Sequence, residues 1–198
     1  MNKKVIDEQT QLLKYTETET ITISDYKKLQ ISKDKGAISD FVFKRLYSRY
    51  LRPSEETPKE YKNGFAIMAN CCLLIETLQS FKNGWGDTKN KSEAAFKDFF
   101  TSDDNFKELK GLSSDFYKNV RCGILHQGET TNGWKINRKG DSLIFDIKNK
   151  TIDAIRFSEL LKKSLQEYSE SLEKSEWDSQ IWDNFRVKMR KIIDNCAA

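Results

Sequence analysis

Residues 65–81 read FAIMANCCLLIETLQSF, and Glu76 is the one charged side chain among them. The stretch is too apolar to lie on a surface and shorter than the roughly 20 residues of a membrane-spanning helix. It therefore predicts the central helix of a helical bundle. The turn residues KNGWGD (82–87) close it, and the linker PSEETPKEYKNG (53–64) leads into it. A carboxylate in such a helix is costly to bury without a partner. Either Glu76 meets a cation, for which Arg121 is the candidate, or it lies at the solvent edge of the helix.

Working upstream, ISDFVFKRLYSRYL (38–51) sets Phe41, Val42, Leu46 and Tyr50 at helical spacing. Ser39 is placed to cap that helix and Pro53 to end it. Residues 1–36 are polar and predict an arm, or a short strand where TETITI (18–23) alternates. The main helical domain is then 37–198.

Downstream, a short helix over Glu93–Phe100 would pack through Ala94, Ala95, Phe96, Phe99 and Phe100. From Ser113 to His126 the residues Leu112, Phe116, Val120 and Ile124 recur every four positions, the stripe of an amphipathic helix. Ser113 or Ser114 can cap its start and Gly128 can stop it. Period two follows, with strands near 133–137, 142–147 and 151–156. Two helices close the chain. One buries Phe157, Leu160, Leu161, Leu165, Tyr168 and Leu172, and the other Trp177, Ile181, Phe185, Met189 and Ile192. The expected fold is all-α, a helical bundle with a small β-hairpin inserted after the 113–126 helix.

Composition narrows the partners. Only two prolines and nine glycines occur in 198 residues, which favours long helices over a turn-rich β fold. A net charge of +4, from 34 basic and 30 acidic residues, permits nucleic-acid binding without demanding it, so any positive surface is local. Cys71, Cys72, Cys122 and Cys196 lack zinc-ligand spacing, and a single histidine is too few for mixed ligand sets, so no metal or cofactor is expected. The start, MNKKVIDEQTQ, has no apolar leader; free thiols in a reducing cytoplasm, away from membranes, are the expectation.

The chemistry lies in VRCGILHQGE (120–129). Arg121 and His126, five apart, point roughly 140° from each other around an ideal helix. They converge if the arginine bends back, if the helix loosens near Gly128, or across a two-fold axis between two chains. Gly123, with no side chain, would let a second helix approach. An imidazole titrates near neutrality and can exchange a proton with a ribose 2′-hydroxyl or a departing 5′-oxygen. A guanidinium can hold a phosphate by two hydrogen bonds and stabilise charge in the transition state. The spacing alone equally describes a surface arginine and a histidine at a helix C-terminus.

The segment FYKNVRCGILHQGET (116–130) resembles the motif helix of the HEPN superfamily, in which an arginine is followed after four to six residues by a histidine. The layout over about residues 60–175 is similar too. The resemblance implies an all-α homodimer with a composite cleft, Arg121 and His126 as catalytic residues, and metal-independent cleavage of RNA. It implies a setting in antiviral defence or a toxin–antitoxin pair, with an antitoxin or defence protein as partner. Some members are instead non-catalytic RNA- or protein-binding modules. Cys122 stands where active members often carry Asn, Asp or His.

Further residues have two readings each. Asn119 and Gln127 could contact ribose or phosphate, or be polar neighbours on an exposed face. Cys122 is four residues from His126 and could form a nucleophile pair, although no orienting residue or oxyanion loop accompanies it. Trp134 could stack on a base or belong to the core. Arg186, Lys188, Arg190 and Lys191 could follow a phosphate backbone or form a solvated helix face.

Overall fold

The structure, a computed structural model, describes residues 5–58, 60–140 and 143–197. It is mostly helical, with two small sheets among the described residues. The chain gathers into two compact units: one takes the residues up to Ser48, Ser80–Asp87 and the chain from Leu165 on, the other Arg49–Gln79 and Thr88–Ser164.

In the first unit, β1 (Gln11–Lys14) and β2 (Thr20–Thr22) pair antiparallel. The alternation of TETITI thus gives a strand only through Thr22. There Thr22 accepts a hydrogen bond from the Asp25 N–H, and the Asp25 carboxylate accepts from the Thr22 N–H, a capping box that starts α1 (Ile23–Ser32). Residues 1–4 of the expected arm lie outside the described residues.

Helix α2 (Lys35–Tyr50) begins three residues before Ile38, because Asp34 accepts from the Ala37 N–H at 3.0 Å. Ser39, the expected cap, is instead buried inside the helix. Helix α9 (Gln180–Asp194) starts later than its periodicity suggested and buries Trp182, Phe185, Met189 and Ile193. Trp177 lies before the helix and packs on Trp182 with ring centroids 4.7 Å apart. The buried face lies one residue on from the expected one at each end, at Trp182 rather than Ile181 and at Ile193 rather than Ile192.

In the second unit, α3 (Arg52–Glu55) carries Pro53 in its first turn and precedes α4 (Gly64–Lys82). Length and composition would let α4 cross a membrane, yet 61% of its apolar window is buried inside the protein. Ile67, Met68, Cys71, Cys72, Leu74, Ile75 and Leu78 are all buried. Helix α5 (Ser92–Ser102) buries Ala95, Phe96, Phe99 and Phe100, while Ala94 is exposed. An aromatic cluster forms the core of this unit: Phe116 stacks on Phe157 at 5.6 Å, and Phe106 meets Phe157 at 4.8 Å.

The expected hairpin lies at 145–153, and an earlier strand joins its edge in parallel. Strands β3 (Lys135–Asn137), β4 (Phe145–Asp146) and β5 (Thr151–Asp153) form a sheet in the order β3-β5-β4, with β3 parallel and β4 antiparallel to β5. Asp153, the last residue of β5, links these segments. Its buried carboxylate accepts from the backbone N–H groups of Lys139 and Gly140, and from those of Ile155 and Arg156 at the start of α8 (Ala154–Lys174). One side chain thereby ties the loop after β3 to β5 and ends that strand in a helix cap. Residues 141–142, within or beside the expected second strand, lie outside the described residues.

Candidate functional site

The predicted 113–126 helix is a continuous helical run of changing pitch. It comprises α6 (Ser113–Phe116), a π turn (Tyr117–Arg121) and α7 (Cys122–Gln127). The Cys122 N–H reaches the Tyr117 carbonyl, five residues back. Asn119 accounts for the wider turn. Its amide donates to the Asp115 carbonyl at 2.9 Å, competing with the backbone for that acceptor. Its side-chain oxygen accepts from Thr131 Oγ1 at 2.8 Å and Asn132 Nδ2 at 2.9 Å, and its carbonyl accepts from the Thr131 N–H. Asn119 is buried, so it faces neither solvent nor a ligand on the surface but organises the turn. An extra residue per turn also moves the inward face. Phe116 and Val120 are buried as the stripe predicts, whereas Ile124 is partly exposed and Gly123 takes the buried place.

Neither Ser113 nor Ser114 caps this run. Leu112 precedes it without a side-chain cap, and Ser114 donates to Glu93 at 2.6 Å. Gly128, at φ 73°, ends α7 as its position suggested, a backbone angle that suits glycine. The space beside Gly123 is not open to a second helix. A Cβ there would collide with the Glu129 carbonyl oxygen and lie 3.3 Å from Thr130 Cα, so the glycine accommodates the loop of its own chain.

Arg121 and His126 converge within one chain. An Arg121 Nη lies 3.3 Å from His126 Nε2, so the arginine bends back along the turn. A guanidinium has no acceptor, so a hydrogen bond here makes Nε2 the acceptor. Of the two readings of Glu76, the ion pair is the one present: Arg121 Nε donates to Glu76 Oε1 at 2.8 Å. The other carboxylate oxygen accepts from Ser92 Oγ at 2.9 Å and Thr88 Oγ1 at 3.3 Å. The ring of Tyr117 lies under the guanidinium at 5.6 Å and against Phe96 at 5.7 Å.

The result is a graded line of groups. Glu76 and Arg121 retain 9% and 15% side-chain exposure, and His126 at the outer end is exposed. Burial opposes the charge on Arg121, but the hydrogen bond and attraction from Glu76 more than offset it and hold its pKa above the ordinary value. Burial, then a hydrogen bond with Cys122, pushes the Tyr117 phenol up. A guanidinium has five N–H donors, so donors remain on Arg121 for an anion after Glu76 and His126 are served.

The other expected residues fall elsewhere. Gln127 is exposed at the end of α7. Cys122 is partly exposed, with Tyr117 and Arg121 as its neighbours. Trp134 is buried against Phe145 at 4.8 Å, which removes it as a base-stacking surface. In the last helix, Arg186 pairs with Asp183 at 2.7 Å and Lys188 donates to the Gly86 carbonyl at 3.0 Å. Two of the four cations there are thus engaged by their own unit. Among the described residues no group of three or more His, Cys, Asp or Glu could hold a metal ion.

Tyr117, Ser92 and Thr88 were not singled out in the sequence. Tyr117 was discoverable, since an aromatic four residues before an arginine can meet it on a helix. Nothing local marks Ser92 or Thr88, which reach Glu76 only through the fold. No family model, curated protein or solved structure matches this chain.

Proposed function

We propose that this protein is a metal-independent endoribonuclease of the HEPN type. The observation that carries the proposal is the Glu76–Arg121–His126 line, which puts a fixed guanidinium and an exposed imidazole within 3.3 Å of each other. A scissile phosphate drawn to Arg121 would take over the Nη donor now facing His126 and leave Nε2 able to accept a proton. His126 removes the proton of the ribose 2′-hydroxyl, and the 2′-oxygen attacks phosphorus. Arg121 stabilises the charge that develops, and the 5′-oxygen departs with a proton. The products are a 2′,3′-cyclic phosphate and a 5′-hydroxyl. DNA lacks the attacking group and is not cut.

A homodimer supplies the acid for the leaving oxygen from a second His126. The shared cleft rests on the family resemblance, because the pair meets inside one chain and Gly123 is occupied by its own loop. The setting is cytoplasmic, in antiviral defence or a toxin–antitoxin pair with an antitoxin or defence partner. A second reading, a non-catalytic module that binds RNA or protein, draws on the ion pair that holds Arg121 against Glu76.

Cleavage of total RNA in EDTA separates the two. The nuclease reading expects cyclic-phosphate ends that disappear in His126→Ala and Arg121→Lys. No cleavage by the parent protein, alone or with its genomic neighbour proteins, leaves the binding module.

A further inference from the structure

The face of the second unit at the start of α4 carries aromatic and basic groups that the proposed chemistry does not use. Tyr61 and Phe65 are 62% and 38% exposed, unusual for large side chains beside a buried helix. Next to Phe65 is a cavity of about 510 Å³, whose lining includes Lys62, Asn137, Arg138 and Lys139. Among the described residues lining it there are three cations and no carboxylate. Arg138 donates to the Tyr61 carbonyl, which binds the strand β3 side of the cavity to the aromatic segment. Asn137, also in that lining, has a side-chain oxygen that is buried without a hydrogen-bond partner.

We infer that this cavity and its two exposed aromatics are a subsite for single-stranded RNA. The inference rests on the proposed ribonuclease reading and gives its substrate a path. Flat apolar rings beside cations match a ligand with flat bases and an anionic backbone, and the rings reach bases only where those are unpaired. The position suits the site. On α4, Glu76 lies within roughly 20° of Phe65 around the helix axis and about 16 Å along it. Between them the partly exposed Ala69 and the exposed Leu73 continue the same face. A strand with its scissile phosphate at Arg121 can follow this face and place bases on Phe65 and Tyr61 a few nucleotides away.

Binding is measured by fluorescence anisotropy with the full chain carrying His126→Ala, which removes cleavage from the readout. The probes are a short labelled single-stranded RNA, the single-stranded DNA of the same sequence, and the RNA duplex. Both single strands are expected to bind better than the duplex. Phe65→Ala and Tyr61→Ala each weaken single-strand binding about tenfold. Phe65→Leu, which keeps bulk and loses the ring, does the same, so lost packing is not the cause. Lys139→Ala lowers the slope of log K against log salt by about one. Unchanged affinity in the aromatic variants overturns the subsite, as does a preference for duplex, and the face then fits a protein partner. Binding lost in these variants while the parent cuts no RNA upholds the subsite and sinks the nuclease. Cleavage with an unaltered KM in the variants does the reverse.

Discussion

Glu76, the one carboxylate of the apolar helix, holds Arg121 by its Nε at 2.8 Å and leaves the outer end of the guanidinium toward His126. The pair joins residues 45 positions apart and fixes the direction of an otherwise flexible side chain. A buried pair of this kind is unforgiving when one member is removed, because the other remains charged in a place that disfavours charge.

Glu76→Ala is accordingly expected to cost about 3 kcal/mol in urea unfolding, and Arg121→Ala a similar amount. His126→Ala, at an exposed position, should leave stability within about 0.5 kcal/mol of the parent. If the proposed chemistry holds, Glu76→Gln folds and cuts RNA at least tenfold more slowly, since the arginine is no longer anchored. An unchanged rate in Glu76→Gln would show that the anchor is irrelevant to catalysis.

Gly123→Ala tests what the glycine is for. The added methyl meets the Glu129 carbonyl, so the substitution should destabilise the chain by about 1–3 kcal/mol at any protein concentration. A glycine serving a helix–helix contact between chains would instead change the dimer constant. Thermal melts over a dilution series distinguish the two.

Asn119→Ala should lower stability by on the order of 2 kcal/mol, because Thr131, Asn132 and Asp115 all lose a buried partner. The π turn depends on these bonds, so the contact between Arg121 and His126 should loosen although Asn119 touches neither. In a crystal structure of the variant, a regular α-helix over 113–127 with the two side chains apart is the expected result. Retention of the π turn would contradict the role assigned to Asn119.

The thiols should divide by burial. Burial pushes Cys71 up to about 12 and Cys72 well above its ordinary value, whereas Cys122 and Cys196 are partly exposed. Iodoacetamide at pH 8 is expected to modify Cys122 and Cys196 in the native protein, and all four only after unfolding. A raised pKa means the folded state holds its proton longer than the unfolded one. The stability this contributes is full below about pH 9 and is lost as pH rises toward about 12. A flat stability profile across that range would show that the two buried thiols ionise as in the unfolded chain.

Much of the fold was legible because periodicity records which side of an element faces inward. The apolar run 65–81, the stripe Phe116–Val120 and the stop at Gly128 all carry local signals, and each appears in the structure. The failures share a cause. Ser39, Ser113 and Ser114 have the chemistry of caps, but Asp34 caps α2 and Glu93 engages Ser114. The expected hairpin is present as β4 and β5, but the parallel addition of β3 was not legible, since it goes with Asp153 drawing four backbone N–H groups from two segments to one carboxylate. Such competition among partners has no period and cannot be read along the chain.

The same division runs through the candidate site. Residue order was enough to mark Arg121 and His126 as a pair and to pose the problem of Glu76, since an isolated carboxylate in an apolar helix demands an explanation. Whether the pair could meet was beyond it, because an ideal helix turns the two side chains apart. Folding settled the matter through groups distant in sequence: Asn119 and Thr131 widen one turn, and Glu76, braced by Ser92, takes hold of the arginine. Local pattern sets which faces are buried, but the direction of a long charged side chain depends on what the rest of the chain brings within about 3 Å of it.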